Sequence, residues 1–338
     1  MLVALYEMWQ HSGEQKYFTF LQRNLDQYIA EDGTIRQYKR LDYNLDLIAP
    51  GRPLLWLYEI TKQEKFRYAA DTLRRQLSEQ PRTNEGGFWH KKIYPYQMWL
   101  DGLFMASPFY ALYSKTVGDT ASFDDIANQF IWIAHRTRDA KTGLYYHGWD
   151  ESKQMPWADS TTGRSPSFWG RAMGWYAMGL VDVLDYFPSD HPKRKQLIAI
   201  LRDVASSLLQ WRDKKTDLWF LVLDQGRREG NYLESSASCM FTFAFAKGAQ
   251  RGYLDKRFTR EATRSFKAIL KHHITIDGNG FVNLHNTIKG AGLGGKPYRD
   301  GSFAYYAGEG QRSNDMKGVG PLLRAAIVLE SKHIRKNR

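Results

Sequence analysis

The strongest constraint in this chain is a repeated helical pair whose first member is apolar nearly all the way round. LVALYEMWQHSGEQKYFTFL shows the plan: an apolar helix, a polar turn, then an amphipathic helix opening on aromatics. PLLWLYEITKQEKFRYAADTL and PFYALYSKTVGDTASFDDIANQF follow at intervals of just over fifty residues. WYAMGLVDVLDYFPSDHPKRKQLIAILRDV and FTFAFAKGAQRGYLDKRFTREATRSF come at wider spacing, and GVGPLLRAAIVLE adds a sixth first helix. A helix that is apolar on every side must be buried, whereas an amphipathic one covers it from outside. Helical pairs recurring at such a period argue for a repeat architecture. Six buried helices with outer companions predict an all-α (α/α)6 toroid, formed by residues 1–338 as one domain. Met1 falls inside an apolar helix and the last helix has no companion, so part of the first outer helix is expected to be missing. Strands are scarce, LWFLVLD being the best candidate.

Strict alternation of inner and outer helices has a geometric consequence. All inner helices run the same way, so the segments just ahead of them converge at one mouth, however distant in sequence. Ser107-Pro108 and Ser165-Pro166 have the cap-plus-proline form of helix starts. A proline kink inside a longer helix is the alternative for these pairs.

The formal charge of +12 suits a polyanionic partner: nucleic acid, acidic lipid or acidic saccharide. The basic residues are scattered and no nucleic-acid motif accompanies them, so no nucleic-acid partner is expected. No apolar run is long enough to span a bilayer, so no membrane partner is expected either. The lone Cys239 fits a reducing compartment and a cytoplasmic location. Aromatics make up 14% of the chain, which fits either core packing or rings that stack on sugars.

The lead-ins to the inner helices carry ionisable groups among Trp and Tyr. Asp101 has the most apolar setting, in QMWLDGLFMASP. Desolvation by Trp99, Leu100, Leu103 and Phe104 is expected to raise its pKa and suit it to general-acid work. A helix cap or a buried partner for an Arg would explain the same residue. Asp46, in NLDLIAP, is a second carboxylate at the same mouth, or a helix cap. Arg171 and Trp175 lie four apart, placing a guanidinium fork and a stacking plate on one helical face, or simply packing one on the other. His147 and Trp149, in YYHGWD, could bond and stack a sugar. No HxxxH or CxxC spacing supports a metal site, and His272-His273 reads as surface. The glycines of GAGLGGKPYRDGS lack the strand and the GK[ST] of a nucleotide loop, and instead let backbone approach the mouth.

Taken together, QMWLDGLFMASPFYALY, KTGLYYHGWDESKQMPWA, FWGRAMGWYAMGLVDVLDYFP, GNYLESSASCMFTFAFAKG and GGKPYRDGSFAYYAGE resemble the unsaturated rhamnogalacturonyl hydrolases of glycoside hydrolase family 105. The likeness spans nearly the whole chain. A related family acts on unsaturated glucuronyl ends of glycosaminoglycans and shares the toroid. The resemblance implies removal of a 4,5-unsaturated galacturonyl residue from rhamnogalacturonan-derived oligosaccharides by hydration of its double bond. No metal or organic cofactor is implied, and a monomer or homodimer is expected.

By position, Asp101 matches the general acid/base of that family and Asp46 its second acidic residue. His90, Lys91, Tyr94 and Met98 match a binding stretch just ahead of Asp101. His147 with Trp149, Arg171 through Trp175, and Gly292 match further sugar contacts. The family's aromatic lead-in to the first helix has no counterpart here. A glucuronyl hydrolase and a non-catalytic toroid that binds acidic oligosaccharides are the alternative readings.

Overall fold

The structure, a computed structural model, describes residues 1–336. Two of the helices that are apolar on all sides are buried on all sides, while Leu2–Ser12 and Gly51–Thr61 are buried only in part. Every residue of Gly170–Leu184 is buried, and so is nearly all of Ser235–Gln250. The inner helices are α1 (Leu2–Ser12), α3 (Gly51–Thr61), α5 (Leu100–Val117), α7 (Gly170–Leu184), α9 (Ser235–Gln250) and α12 (Met316–Lys336). Each packs on the next, and α12 closes the ring on α1. The outer helices are α2 (Gln15–Asp26), α4 (Glu64–Glu79), α6 (Ser122–Thr137), α8 (Arg194–Gln210) and α10 (Arg257–His273), each against its inner partner. Outer α10 buries Phe258, Ala262, Ser265 and Ile269, spaced three or four apart, and turns its charged residues outward. Six inner and five outer helices among the described residues make the (α/α)6 toroid. One apolar cluster joins side chains from Leu5 to Ala325.

Short elements decorate the mouth. β1 (Gln97–Trp99) pairs with β2 (Gly148–Asp150), β3 (Ile274–Ile276) with β4 (Val282–Leu284), and β5 (Thr287–Ile288) with β6 (Gln311–Arg312). The short helix α11 (Phe303–Gly308) lies between β5 and β6. No helix among the described residues is long and apolar enough to cross a membrane.

Three local expectations fail, and at Pro108 the alternative of a proline within a longer helix holds. Pro108 stands inside α5, which opens at Leu100, because burial of the whole apolar run outweighs the helix-breaking tendency of proline. Ser165-Pro166 does not start α7. The Ser165 hydroxyl instead accepts from the Gly148 N–H and holds β2. LWFLVLD makes only isolated bridges, Val222 to Trp169 and Phe220 to Leu233, so its apolar run marks burial without a strand. His273 is buried, only His272 being exposed, and burial pushes the His273 imidazole down to about 4.

Candidate active site

The β1–β2 ribbon sorts the side chains that precede α5. Residues directly opposite in an antiparallel pair share a face. Met98 lies opposite Trp149 and Trp99 opposite Gly148. Met98 packs toward Gly87 and Phe88, while Trp149 is pinned to the Thr162 carbonyl with the Arg136 guanidinium over its ring. Trp99, on the other face, stacks on His90 at 4.3 Å and on Tyr94 at 4.8 Å and meets the edge of His147 at 5.4 Å. It is the hub of the site.

Asp101 follows in the first turn of α5 and is 8% exposed. Nε2 of His147 lies 3.0 Å from its Oδ2. The approach is off-axis, so neither atom makes a well-aligned hydrogen bond. Catalytic contacts are often poorly aligned in the free enzyme and tighten on substrate binding. Nδ1 of His147 meets the Tyr306 hydroxyl at 2.7 Å. Burial pushes the Asp101 carboxyl up, as the sequence leads one to expect. The charge and N–H of His147 outweigh it and hold the carboxyl below its usual range, with a smaller pull from His90 when that ring is protonated. That reverses the expected direction, because an imidazole brought from a distant segment stands against the carboxylate.

Asp46 lies in a single 3-10 turn, Leu45–Ile48, capped by the Asn44 side chain, which accepts from the Asp46 N–H at 3.0 Å. Its carboxylate receives Lys91 Nζ at 2.6 Å and sits 3.5 Å from His90 Nε2. His90 stands between the two acids and feels both. Burial pushes it down to about 4, so it is neutral at pH 7. A side chain at Gly102 would meet Leu45 and His90 Nδ1, so glycine after Asp101 lets the histidine approach α5.

Arg171, 1% exposed, opens α7. Its guanidinium lies 4.9 Å from the Trp169 ring and Nη1 donates to the Ile288 carbonyl at 2.7 Å. Ser236 separates it from the fully buried Glu234, which caps α9 by accepting from the Ala237 N–H at 2.7 Å. Among the described residues no carboxylate pairs with Arg171, and its buried Nε has no partner. Burial pulls its pKa down, while Glu234, Asp101 and Asp315 pull it back up. Trp175 does not stack on Arg171. It stacks on Phe104 at 4.6 Å and lines a cavity of about 200 Å³ with Arg52 and Arg324, one turn below Asp101 and Arg171.

Gly292 lies in the late loop at the mouth. Its N–H donates to the Tyr305 hydroxyl at 3.1 Å, and any side chain there would collide with the Arg299 guanidinium. Arg299 donates from Nε to the Gly294 carbonyl at 2.7 Å and from Nη2 to the Tyr94 hydroxyl at 2.7 Å, tying this loop to the stretch before β1. The structure therefore gathers Asp46, His90, Lys91, Tyr94, Asp101 and His147 around Trp99, with Arg171 beyond Trp169. It sets Met98 and Trp149 on the far face of the ribbon. Sequence reasoning missed Trp169, Glu234, Arg299 and Tyr306. Among the described residues no three His, Cys, Asp or Glu side chains converge on a metal position.

Comparison with known proteins places the chain in a family. A family model described as Glycosyl Hydrolase Family 88 matches residues 1–332. The chain belongs to that family. A C. acetobutylicum glycoside hydrolase of family 105 is 45% identical, with a TM-score of 0.96 over 98% of this chain and 92% of that one. The unsaturated rhamnogalacturonyl hydrolase YesR of Bacillus subtilis is 28% identical over 277 residues, 79% of this chain and 74% of that protein. The 24.9 kDa protein in picA locus of Rhizobium radiobacter is 39% identical over 230 residues, 65% of this chain and 96% of that protein. The chain is thus a glycosidase of the unsaturated uronyl hydrolase family.

Proposed function

We propose that this glycosidase removes the 4,5-unsaturated galacturonyl residue from rhamnogalacturonan-derived oligosaccharides, with Asp101 as general acid and base. One observation carries the reading. A buried acid whose ion-pair partner is an imidazole, Asp101, shares the mouth with a buried cation, Arg171, that no carboxylate among the described residues pairs with. That pairing suits a ligand that brings its own carboxylate and a double bond needing a proton. Arg171 would take the uronate carboxylate through its unpartnered Nε. Phe104 and Trp175, one helical turn beyond Asp101 and Arg171, wall a cavity and would offer apolar faces to a sugar ring.

The chemistry then follows from the site. In the free site His147 holds Asp101 as the anion. An incoming uronate sets a second carboxylate near it, and a like charge raises the pKa of a carboxyl group. Asp101, once protonated, gives its proton to C4 and leaves positive charge shared between C5 and the ring oxygen. Water adds at C5 and loses its proton to the Asp101 carboxylate, which restores the acid. The hemiketal opens and the hemiacetal left at C1 collapses, releasing the remaining oligosaccharide. Asp46, held by Lys91, keeps negative charge beside the developing cation. The buried, unpaired Cys239 fits action in a reducing cytoplasm.

The test is a rate comparison on unsaturated galacturonyl-rhamnose and unsaturated chondroitin disaccharide, followed by loss of the ultraviolet absorbance of the C4=C5 bond. Faster loss with the galacturonyl substrate supports the proposal. Preference for the chondroitin disaccharide would reassign the sugar, and no loss with either would remove the reaction.

A further inference from the structure

Tyr306 reaches the site from α11, 159 residues beyond His147 in sequence. It is fully buried, and its ring lies 5.6 Å from Trp169, nearly parallel. Its hydroxyl meets Nδ1 of His147 at 2.7 Å, while Nε2 of the same ring stands 3.0 Å from Oδ2 of Asp101. We propose that Tyr306 is a positioning residue that holds His147 with its Nε2–H turned on Asp101. The role of Asp101 itself rests on the function proposed above.

The argument is one of donors and acceptors. A carboxylate can only accept, so Nε2 must carry hydrogen where it faces Asp101. In the neutral ring Nδ1 is then an acceptor, and the Tyr306 O–H donates to it. In the imidazolium Nδ1 carries hydrogen as well, and the same hydroxyl rotates to accept. A phenol serves both ring states without adding charge. A carboxylate orienter, as in a Ser-His-Asp triad, would favour the imidazolium and bind the Asp101 anion harder. That would oppose the rise in pKa that a general acid at this position needs.

Burial keeps the phenol protonated, so it can donate across the working pH range. The charged or titratable groups around the trio are His90 on the Asp101 side, Arg171 beyond Trp169, and Tyr305, Asp300 and Arg299 around Tyr306. Among these, the hydroxyl of Tyr306 is the group in hydrogen-bonding reach of Nδ1. The ring of His147 is also packed against Trp99 and Trp169, so its plane survives loss of the hydroxyl while its tautomer does not.

The test combines two readouts on full-length protein. With 15N-histidine labelling and a His147→Gln control for assignment, the wild-type His147 should show the Nε2–H tautomer alone wherever the ring is neutral. Tyr306→Phe should show a mixture of tautomers. Its kcat on unsaturated galacturonyl-rhamnose should fall roughly ten- to a hundredfold, as outer partners of a functional imidazole do, with KM nearly unchanged. An Nδ1–H tautomer in the wild type would overturn the proposal even if the variant failed to fold. So would a variant with unchanged tautomer or full kcat. The tautomer measurement needs no turnover, so a wild type inactive on every unsaturated uronide would sink the proposed reaction and leave Tyr306 to be judged by the spectra.

Discussion

Two buried aspartates sit on neighbouring inner helices, and their surroundings differ in kind. Asp182, deep in the ring on α7, receives Arg52 at 3.0 Å, Lys247 at 2.8 Å and both terminal nitrogens of Arg324 at 2.8 and 2.9 Å. Glu7 takes the rest of Arg324, and Asp185 shares Lys247. Burial would push Asp182 up, but the three cations hold it well below the carboxylate range. Asp101, at the mouth, has one imidazole in contact and a second nearby. The first carboxylate is closed: its charge is matched from three other inner helices and it ties the ring together. The second is left under-matched, as a group that must gain and lose a proton requires. Burial alone does not distinguish a structural acid from a working one; the number and kind of its partners does.

The largest effect should come from exchanging the roles of the two in mutation. Asp101→Asn should cut kcat by roughly a thousandfold, within the range of general acid–base contributions. It should leave stability to urea within about 1 kcal/mol, because an amide still fits beside His147. Asp182→Asn should do the reverse, costing about 3–5 kcal/mol of stability by leaving buried cations unpaired. An Asp101→Asn protein that unfolds, or an Asp182→Asn protein of normal stability, would erase the distinction.

Arg171→Ala sharpens the comparison from the cation's side. Loss of a charged hydrogen bond to a ligand costs about 1.5–3 kcal/mol, so KM should rise roughly ten- to a hundredfold with a smaller change in kcat. Steady-state kinetics on the unsaturated disaccharide read this directly, and an unchanged KM would remove the carboxylate contact.

Acid should expose the two buried neutral imidazoles. His90 and His273 are each pushed by burial from 6.5 to about 4. Between those values the unfolded chain binds more protons than the folded one, so stability rises with pH. Their contribution is complete above about pH 6.5 and is lost as pH falls toward 4. Urea titrations across that window should show the slope, and His273→Asn should flatten part of it without touching kcat. The smallest effect belongs to Lys91→Met. It breaks a part-exposed pair with Asp46, so stability should move by less than about 1 kcal/mol.

The fold was legible because its signal is repetitive. Six segments apolar on all sides, each but the last followed by an amphipathic one, leave few arrangements other than a ring within a ring. Convergence at a mouth then brought Asp46, Asp101, His147 and Arg171 into view. What stayed hidden depends on long-range placement. Nothing in WLDGL shows that His147 closes on Asp101 and reverses its shift. Arg171 chose Trp169 over Trp175 because Trp169 is the extended residue before α7, where the four-residue spacing of a helix does not yet apply. Tyr306 belongs to a six-residue helix too short to show periodicity, and its partner lies far back in the chain. GGKPYRDGSFAYYAGE marked the region through its glycines, not through the tyrosine that matters.

The central claim is that Asp101 hands a proton to C4 of an unsaturated uronide. Turnover of unsaturated galacturonyl-rhamnose in deuterated water tests it most directly. The account predicts one deuterium at C4 of the released keto sugar with wild-type enzyme, and almost no product with Asp101→Asn. Product without the label at C4, or wild-type rates from the Asn variant, would contradict it.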